Sequence, residues 1–366
     1  MSLHRRHFLS GALAAPVLAA TKKQAAVARP NIVLIVAEDL GAYMVGCYGN
    51  TEVRTPNIDR LAQTGVRFHS SFSCAPVTPD QGAFAAAGYN CGHSTSATQA
   101  DQFLDAQAAA KPFFLAIAWP SPNAVAAPQK NLDLYAKTGF ETVGWDTEAA
   151  NATHKEMLRD APGNIRKYAA ALTTLDEQIA TVQAKLQKRG VWDNTLIVFS
   201  SNGGYLLGRH GLWGDATASD PANLYEEVVR TPLIWAWPSR FPPQTVRNEV
   251  VNSYDLMPAL CELAGVAAPA GSHGPSYLPF VYGRHLGKKD IWPSLAFGRI
   301  RDVEMARDER YKLILRNQGK GPNELYDETA DPKEQENQVD SAKFVNMRQR
   351  LTGQLAAWRG AGKPGA

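Results

Sequence analysis

The chain is expected to fold as an α/β protein, with a mainly parallel sheet flanked by helices and a smaller C-terminal α+β subdomain. Three observations predict this. Short, almost wholly apolar runs at 31–36, 113–118 and 195–199 suit strands buried on both faces. Between the last two lies a long helical stretch, 164–188. Its Ile165, Tyr168, Leu172, Leu175, Ile179, Val182 and Leu186 recur at spacings of three and four and form one apolar stripe. Strands alternating with helices make a parallel sheet. The texture then changes after Gly265, where shorter alternating segments predominate.

In chain order, the run 31–36 is the first buried strand, and the acids Glu38 and Asp39 stand at its carboxyl end. Thr55 and Pro56 start a helix as cap and first-turn residue; Ile58 and Leu61 face inward and Gly65 stops it. The strand 113–118 runs into Trp119 and Pro120. Gly190 ends the long helix, and Asp193-Asn194 turns into the strand 195–199, followed by Ser200, Ser201, Asn202, Gly203 and Gly204. A further strand, 232–237, closes on Pro238. In the C-terminal part, 303–306 and 311–315 flank the polar turn 307–310 as a hairpin, and a closing helix is expected near 347–358. Ligands of such sheets bind beyond the carboxyl ends of the strands, so the loops 38–39, 119–123 and 200–204 are the candidates for a site.

Composition narrows the function. With 366 residues, 45% apolar and a formal charge of +3, the chain has ordinary globular character and no basic run to attract nucleic acid. Arg5-Arg6, then Phe8-Leu9 and an alanine-rich apolar stretch, resemble an export signal of the twin-arginine type over residues 1–28, the other reading being a buried N-terminal helix. No later segment reaches the roughly 20 apolar residues that span a bilayer, so the mature protein is expected in the periplasm or outside the cell. The α/β domain is assigned to 29–270 and the smaller subdomain to 271–366. Four cysteines are too few for a disulfide framework. A Cys74–Cys91 bond and two free thiols both remain open.

Several segments together resemble the sulfatases of the alkaline phosphatase superfamily. They are RPNIVLIVAEDLG at 29–41, GCYG at 46–49, RTPNIDRL at 54–61, DNTLIVF at 193–199 and LGRHGLW at 207–213. YEE at 225–227, RTPLI at 230–234, ELYD at 324–327 and ADP at 330–332 follow in the family's order. The resemblance implies a calcium ion held by carboxylates and an Asn amide, a formylglycine nucleophile, and Arg, Lys and His groups around the sulfate. A hard cation prefers oxygen donors, and fixed positive charge stabilises the transition state.

This chain departs from that pattern at nearly every such position. Ala75-Pro76-Val77 precedes Thr78 where the modified Cys should stand, and Gly82 occupies the place of the Arg. A rival register begins at Cys74. Thr78 could attack directly, as in phosphodiesterase-like relatives, or could simply cap the helix begun by Pro79. Glu38 and Asp39 replace the usual acid pair, Asn202 stands at the third acid, and Gly203 at the amide. Two carboxylates and an amide could hold calcium weakly, or be solvated turn residues. Asn123 follows Pro122 in place of His, Asp215 replaces a Lys, and His210 survives within its motif or packs beside Trp213. The chain is also shortened between Gly92-His93 and the strand at 113.

The expected function is that of a sulfatase-family protein with weak or lost turnover of sulfate esters. Thr78 is its candidate nucleophile, Glu38, Asp39 and Asn202 its metal ligands, and His210 and Asn123 its substrate contacts. The substrate would be a small-molecule or carbohydrate sulfate ester. The rivals are a Thr-dependent phosphodiesterase-like hydrolase, a non-catalytic carbohydrate-binding protein using Trp119, Trp145 and Trp213, and a decayed gene product.

Overall fold

The computed structural model describes residues 29–73, 81–108, 111–238, 240–269, 274–284 and 292–360. The predicted export signal, Thr78 and Cys74 lie outside them.

The central sheet has seven strands in the order Thr245–Arg247, Val66–Phe68, Leu233–Ala236, Thr195–Ser201, Asn31–Ala37, Phe113–Trp119 and Asn90–Ser94. The last four are mutually parallel, as the alternation of strands and helices predicts. Leu233–Ala236 is the exception and runs antiparallel to both neighbours. All seven residues of Asn31–Ala37 are buried, because alternate side chains enter two different cores. Val33 and Ile35 point to the core beneath the long helix, while Ile32, Leu34 and Val36 enter the other. The long helix, Ala161–Lys188, contributes its whole apolar stripe to the first core. The helix Leu256–Ala264 covers the second. The domain is therefore a three-layer sandwich of helix, sheet and helix.

Two helix starts differ from expectation for physical reasons. The long helix begins three residues early, because Asp160 accepts a hydrogen bond from Gly163 N–H (3.1 Å) and Pro162 suits the first turn. Thr55 does not cap the helix Pro56–Gln63 through its side chain. Its hydroxyl instead accepts from Gly46 N–H (2.9 Å) and lies 3.3 Å from Asp59. The cap comes from the long helix: the fully buried Asp176 accepts from Asn57 N–H (3.1 Å), Ile58 N–H (2.8 Å) and Asn57 Nδ2 (2.8 Å). A cap borrowed from a residue so distant in sequence leaves no local signature. Burial nonetheless pushes the Asp176 carboxyl up to about 6, against the pull of those donors.

The C-terminal sheet is an antiparallel meander of Ala296–Ile300, Val303–Arg307, Tyr311–Arg316 and Glu324–Asp327. The helix Val345–Gly360 packs on one face through Leu351, Leu355 and Trp358, the last stacked on Phe297 with ring centroids 5.4 Å apart. The opposite face, with Val303, Met305 and Ile314, shares a core with Phe72, Leu206 and Val229 of the larger domain.

That contact also encloses charge. Lys312 has no solvent exposure; it pairs with Glu334 and stands 3.5 Å from Glu226, while Arg307 meets Glu226 at 3.2 Å. Glu328 lies 3.9 Å from Lys312. Burial, reinforced by the Glu226 charge, pushes the Glu328 carboxyl up to about 7 although Lys312 opposes the shift. Glu334 is raised too, chiefly by its own burial.

Removing the borrowed cap strands the buried Ile58 N–H and the part-buried Asn57 N–H. Asp176→Ala is expected to lower unfolding stability by about 1–3 kcal/mol, and Asp176→Asn, which keeps an acceptor, by less; denaturant titration measures both. Glu328 has an ordinary value of 4.5 and a folded value of about 7, so the folded state holds the proton more tightly over that interval. Its contribution is present below 4.5 and is lost as pH rises through about 7. Melting temperature should accordingly fall across this window, and the slope should flatten in Glu328→Gln.

Candidate active site

The strands Asn31–Ala37 and Thr195–Ser201 pair in register, Ala37 opposite Ser201, so the loops leaving their carboxyl ends emerge together. Asn202 N–H donates to Ala37 O (2.9 Å), and Leu40 N–H donates to Gly203 O (2.8 Å). The buried Ser201 hydroxyl sits in this junction, accepting from Leu40 N–H (3.3 Å) and sharing its proton between Ala37 O (3.0 Å) and Gly203 O (2.8 Å). Asp39 turns the chain out of the strand with a left-handed φ of 54°. Its carbonyl accepts from Tyr168 Oη of the long helix at 2.5 Å. Tyr168 thus belongs to the helix's apolar stripe and positions a site residue as well.

Glu38, Asp39 and Asn202 line one cavity of about 300 Å³, together with Ser73, Gly203 and Asp215. Ser73 Oγ donates to Asn202 O at 2.8 Å, which ties Ser73 to the second strand-end loop in the wall of this cavity. Burial raises the Asp39 carboxyl; a Ser121 hydrogen bond opposes this, and the charges of Asp215 and Glu38 add to it. No Lys, Arg or His stands among the described lining residues. Gly82, at the place of the Arg, is exposed on the short helix Gln81–Ala86. His93 is exposed on the edge strand Asn90–Ser94 and lines none of the cavities described here.

The other two expected site residues fall elsewhere. Asn123 lines a neighbouring cavity of about 550 Å³ with Tyr168, Tyr205 and Trp213, and its backbone N–H and Nδ2 both donate to Ser121 Oγ (3.2 Å). His210 lines a third cavity, of about 400 Å³, with Arg209, Glu227 and the exposed Trp145. Its ring stacks on Tyr225, 3.7 Å between centroids and 4° between planes, and not on Trp213. Trp119 and Trp213 are core residues at 2% and 1% exposure, which removes two of the three tryptophans from an open sugar platform.

The acids fit a hard divalent cation by donor chemistry, since Glu38 and Asp39 offer carboxylates and Asn202 an amide oxygen. Among the described residues the one trio of His, Cys, Asp and Glu whose ligand atoms all come within 4.8 Å is His210, Glu227 and Glu334. That trio is already neutralised: Arg209 meets Glu227 at 2.6 Å, His210 Nε2 lies 3.3 Å from its other oxygen, and Lys312 pairs with Glu334. Burial would raise the Glu227 carboxyl, but the His210 hydrogen bond and the two neighbouring charges outweigh it and hold the group near 2. This network is a structural clamp.

Comparison with known proteins now decides the family. The Sulfatase family profile matches residues 30–81 and 79–266, and the profile of the C-terminal region of N-sulphoglucosamine sulphohydrolase matches 214–361. This chain belongs to the sulfatase family. An ulvan-active sulfatase of Formosa agariphila is 24% identical over 436 positions, covering 92% of this chain and 81% of the relative. That alignment is longer than the whole chain, so the relative carries segments this chain lacks. The N-acetylglucosamine-6-O-sulfatase of Bacteroides thetaiotaomicron is 28% identical over 51% of this chain and 34% of its own length. A solved structure described as a complex with D-glucosamine-2-N,6-O-disulfate superposes with a TM-score of 0.77 at 19% identity, covering 91% of this chain and 98% of the other. The phosphonate monoester hydrolase of Agrobacterium radiobacter reaches 0.75 at 18% identity, with 91% and 96% covered. At these identities the superpositions speak for the fold alone.

The two glycines in the second strand-end loop play different parts. A Cβ on Gly204 would stand 1.9 Å from Glu227 O, whereas one on Gly203 would meet only Val228 O at 3.8 Å. Gly204→Ala should therefore cost about 1–3 kcal/mol through overpacking, and Gly203→Ala should be close to neutral. Thermal unfolding of the two variants side by side checks this.

Proposed function

We propose that this sulfatase-family chain has little or no turnover of sulfate esters, while keeping a cavity suited to the family's cation. One observation carries the reading: the cavity at the strand ends is lined by Glu38, Asp39 and Asp215, with no cationic side chain among its described residues. A sulfate group entering it faces three carboxylates and lacks the fixed positive charge that stabilises the oxygens of an ester undergoing cleavage. Glu38, Asp39 and Asn202 are the residues that would hold calcium or a similar ion. A bound divalent cation supplies Lewis-acid polarisation of the ester. The residual nucleophile would be Thr78, a hydroxyl poorly reactive without a base or metal to lower its pKa.

The relatives named as active on ulvan and as an N-acetylglucosamine-6-O-sulfatase favour a carbohydrate sulfate as the ester. The paired arginines and apolar stretch within 1–28 favour work outside the cytoplasm. The hydroxyl at 78 also makes phosphate diesters the natural second class to assay.

Hydrolysis of nitrophenyl sulfate, nitrophenyl phosphate and a nitrophenyl diester by the purified chain with calcium, magnesium or zinc tests the proposal. Sulfate ester turnover is expected to lie far below the ~10 per second common among enzymes, and to change little in Thr78→Ala. Sulfate turnover at an ordinary enzymatic rate, abolished by Thr78→Ala, would overturn the reading and make Thr78 a working nucleophile.

A further inference from the structure

After the strand Glu324–Asp327, the C-terminal subdomain sends an arm, residues 328–334, back onto the larger domain. Glu334 at its tip is buried: one oxygen accepts from Glu226 N–H at 2.6 Å, and the other pairs with Lys312. The Glu334 backbone holds a left-handed φ of 50°, which residues bearing a Cβ adopt rarely. Glu328 at the base of the arm turns inward as well. Its side chain is 6% exposed, 3.9 Å from Lys312, and within hydrogen-bonding reach of the Glu334 carboxyl. Two carboxylates therefore compete for one ammonium in a space shut off from water. Lys333 and Gln335, which flank Glu334, line the cavity of about 400 Å³ beside Trp145 and Arg209.

The other charges around the pair do not remove this conflict. Glu226 and Glu227 add negative charge from the turn of the larger domain, and Arg307 is already bonded to Glu226. Arg230 faces Glu226, and His210 is held against Glu227 with a ring nitrogen within 4.8 Å of a Glu334 oxygen. The Tyr225 and Tyr326 phenols, also near Glu334, stay protonated because burial raises both.

We propose that the segment 328–334 is a proton-dependent latch: a proton shared by the Glu328 and Glu334 carboxyls holds it closed, and loss of that proton to solvent releases Glu334 from Glu226. With the proton in place, one carboxyl donates to the other, and the pair carries a single negative charge that Lys312 balances. Without it the pair carries two, beside that of Glu226. Opening hydrates both carboxylates and lets the Glu334 backbone leave its left-handed conformation. The apolar core that the two domains share does not depend on the proton. Release therefore moves the arm and the cavity wall it forms, not the whole subdomain. The burial and the Glu226 charge that push Glu328 up to about 7 place the transition near neutrality.

Hydrogen exchange of the full chain, corrected for intrinsic rates and compared at about pH 6 and about pH 8.5, tests the latch. Protection of peptides containing Glu226 and 328–336 is expected to fall roughly tenfold at the higher pH, while the long helix Ala161–Lys188 keeps its protection. In Glu328→Gln, which keeps a hydrogen-bonding group without a titrating one, protection should stay high at both values. Glu328→Leu, which fills the same space without charge, gives the same reading should the amide variant fail to fold. Protection that does not change with pH in the unaltered chain would overturn the latch. So would an equal loss in both Glu328 variants, which would assign the effect to another group such as His210, or an equal loss in the long helix, which would make it global unfolding.

Discussion

The organisation of this molecule depends on one short turn, Tyr225-Glu226-Glu227, whose two carboxylates and one carbonyl reach three different parts of the structure. The carbonyl of Glu227 packs against Gly41 and Gly204, where a Cβ would come within 2.7 Å and 1.9 Å of it. These are the loops that carry Glu38, Asp39 and Asn202. The Glu227 side chain is gripped by Arg209 and His210, and the Glu226 side chain by Arg307 of the C-terminal sheet, with Lys312 at 3.5 Å. Buried ion pairs of this kind add modest net stability, because desolvation offsets most of the attraction. Their stronger effect is positional, since a buried carboxylate stripped of its cationic partners is left as an uncompensated charge.

The same turn explains why the LGRHGLW and YEE segments occur together in the chain. Arg209 and His210 form half of a clamp and Glu227 the other half. The hairpin beyond His210 then carries Asp215 into the cavity that Glu38 and Asp39 border. Scaffold and cavity are thereby separable. The clamp is intact, while no Lys, Arg or His stands among the described residues lining the cavity.

Much of the architecture was legible from residue pattern. The apolar runs at 31–36, 113–118 and 195–199 became the central parallel strands, and the stripe from Ile165 to Leu186 became the long helix. The hairpin around 307–310 and the closing helix formed where turn chemistry and spacing placed them. The strands Val66–Phe68, Asn90–Ser94 and Thr245–Arg247 escaped notice, being only three to five residues long. So short a strand takes its conformation from its neighbour's hydrogen bonds, and carries little periodicity of its own.

Of the site, the sequence by itself determined which residue types stand at the ends of the strands: Glu38, Asp39, Asn202 and Gly203, at places where such sheets bind ligands. It also determined the substitutions that distinguish this chain from its family's pattern. Only the tertiary structure decided which of these residues share a space. It placed Glu38, Asp39 and Asn202 in one cavity with Asp215, put Asn123 in the next, and turned His210 away against Tyr225 and Glu227. It also made Asp176 the cap of a distant helix and Tyr168 the support of Asp39. The physical reason is common to all of these. Strand and helix formation answer to nearest neighbours along the chain, whereas hydrogen-bond partners and charge neighbours are set by packing between separate segments, for Asp176 and Tyr168 more than a hundred residues apart.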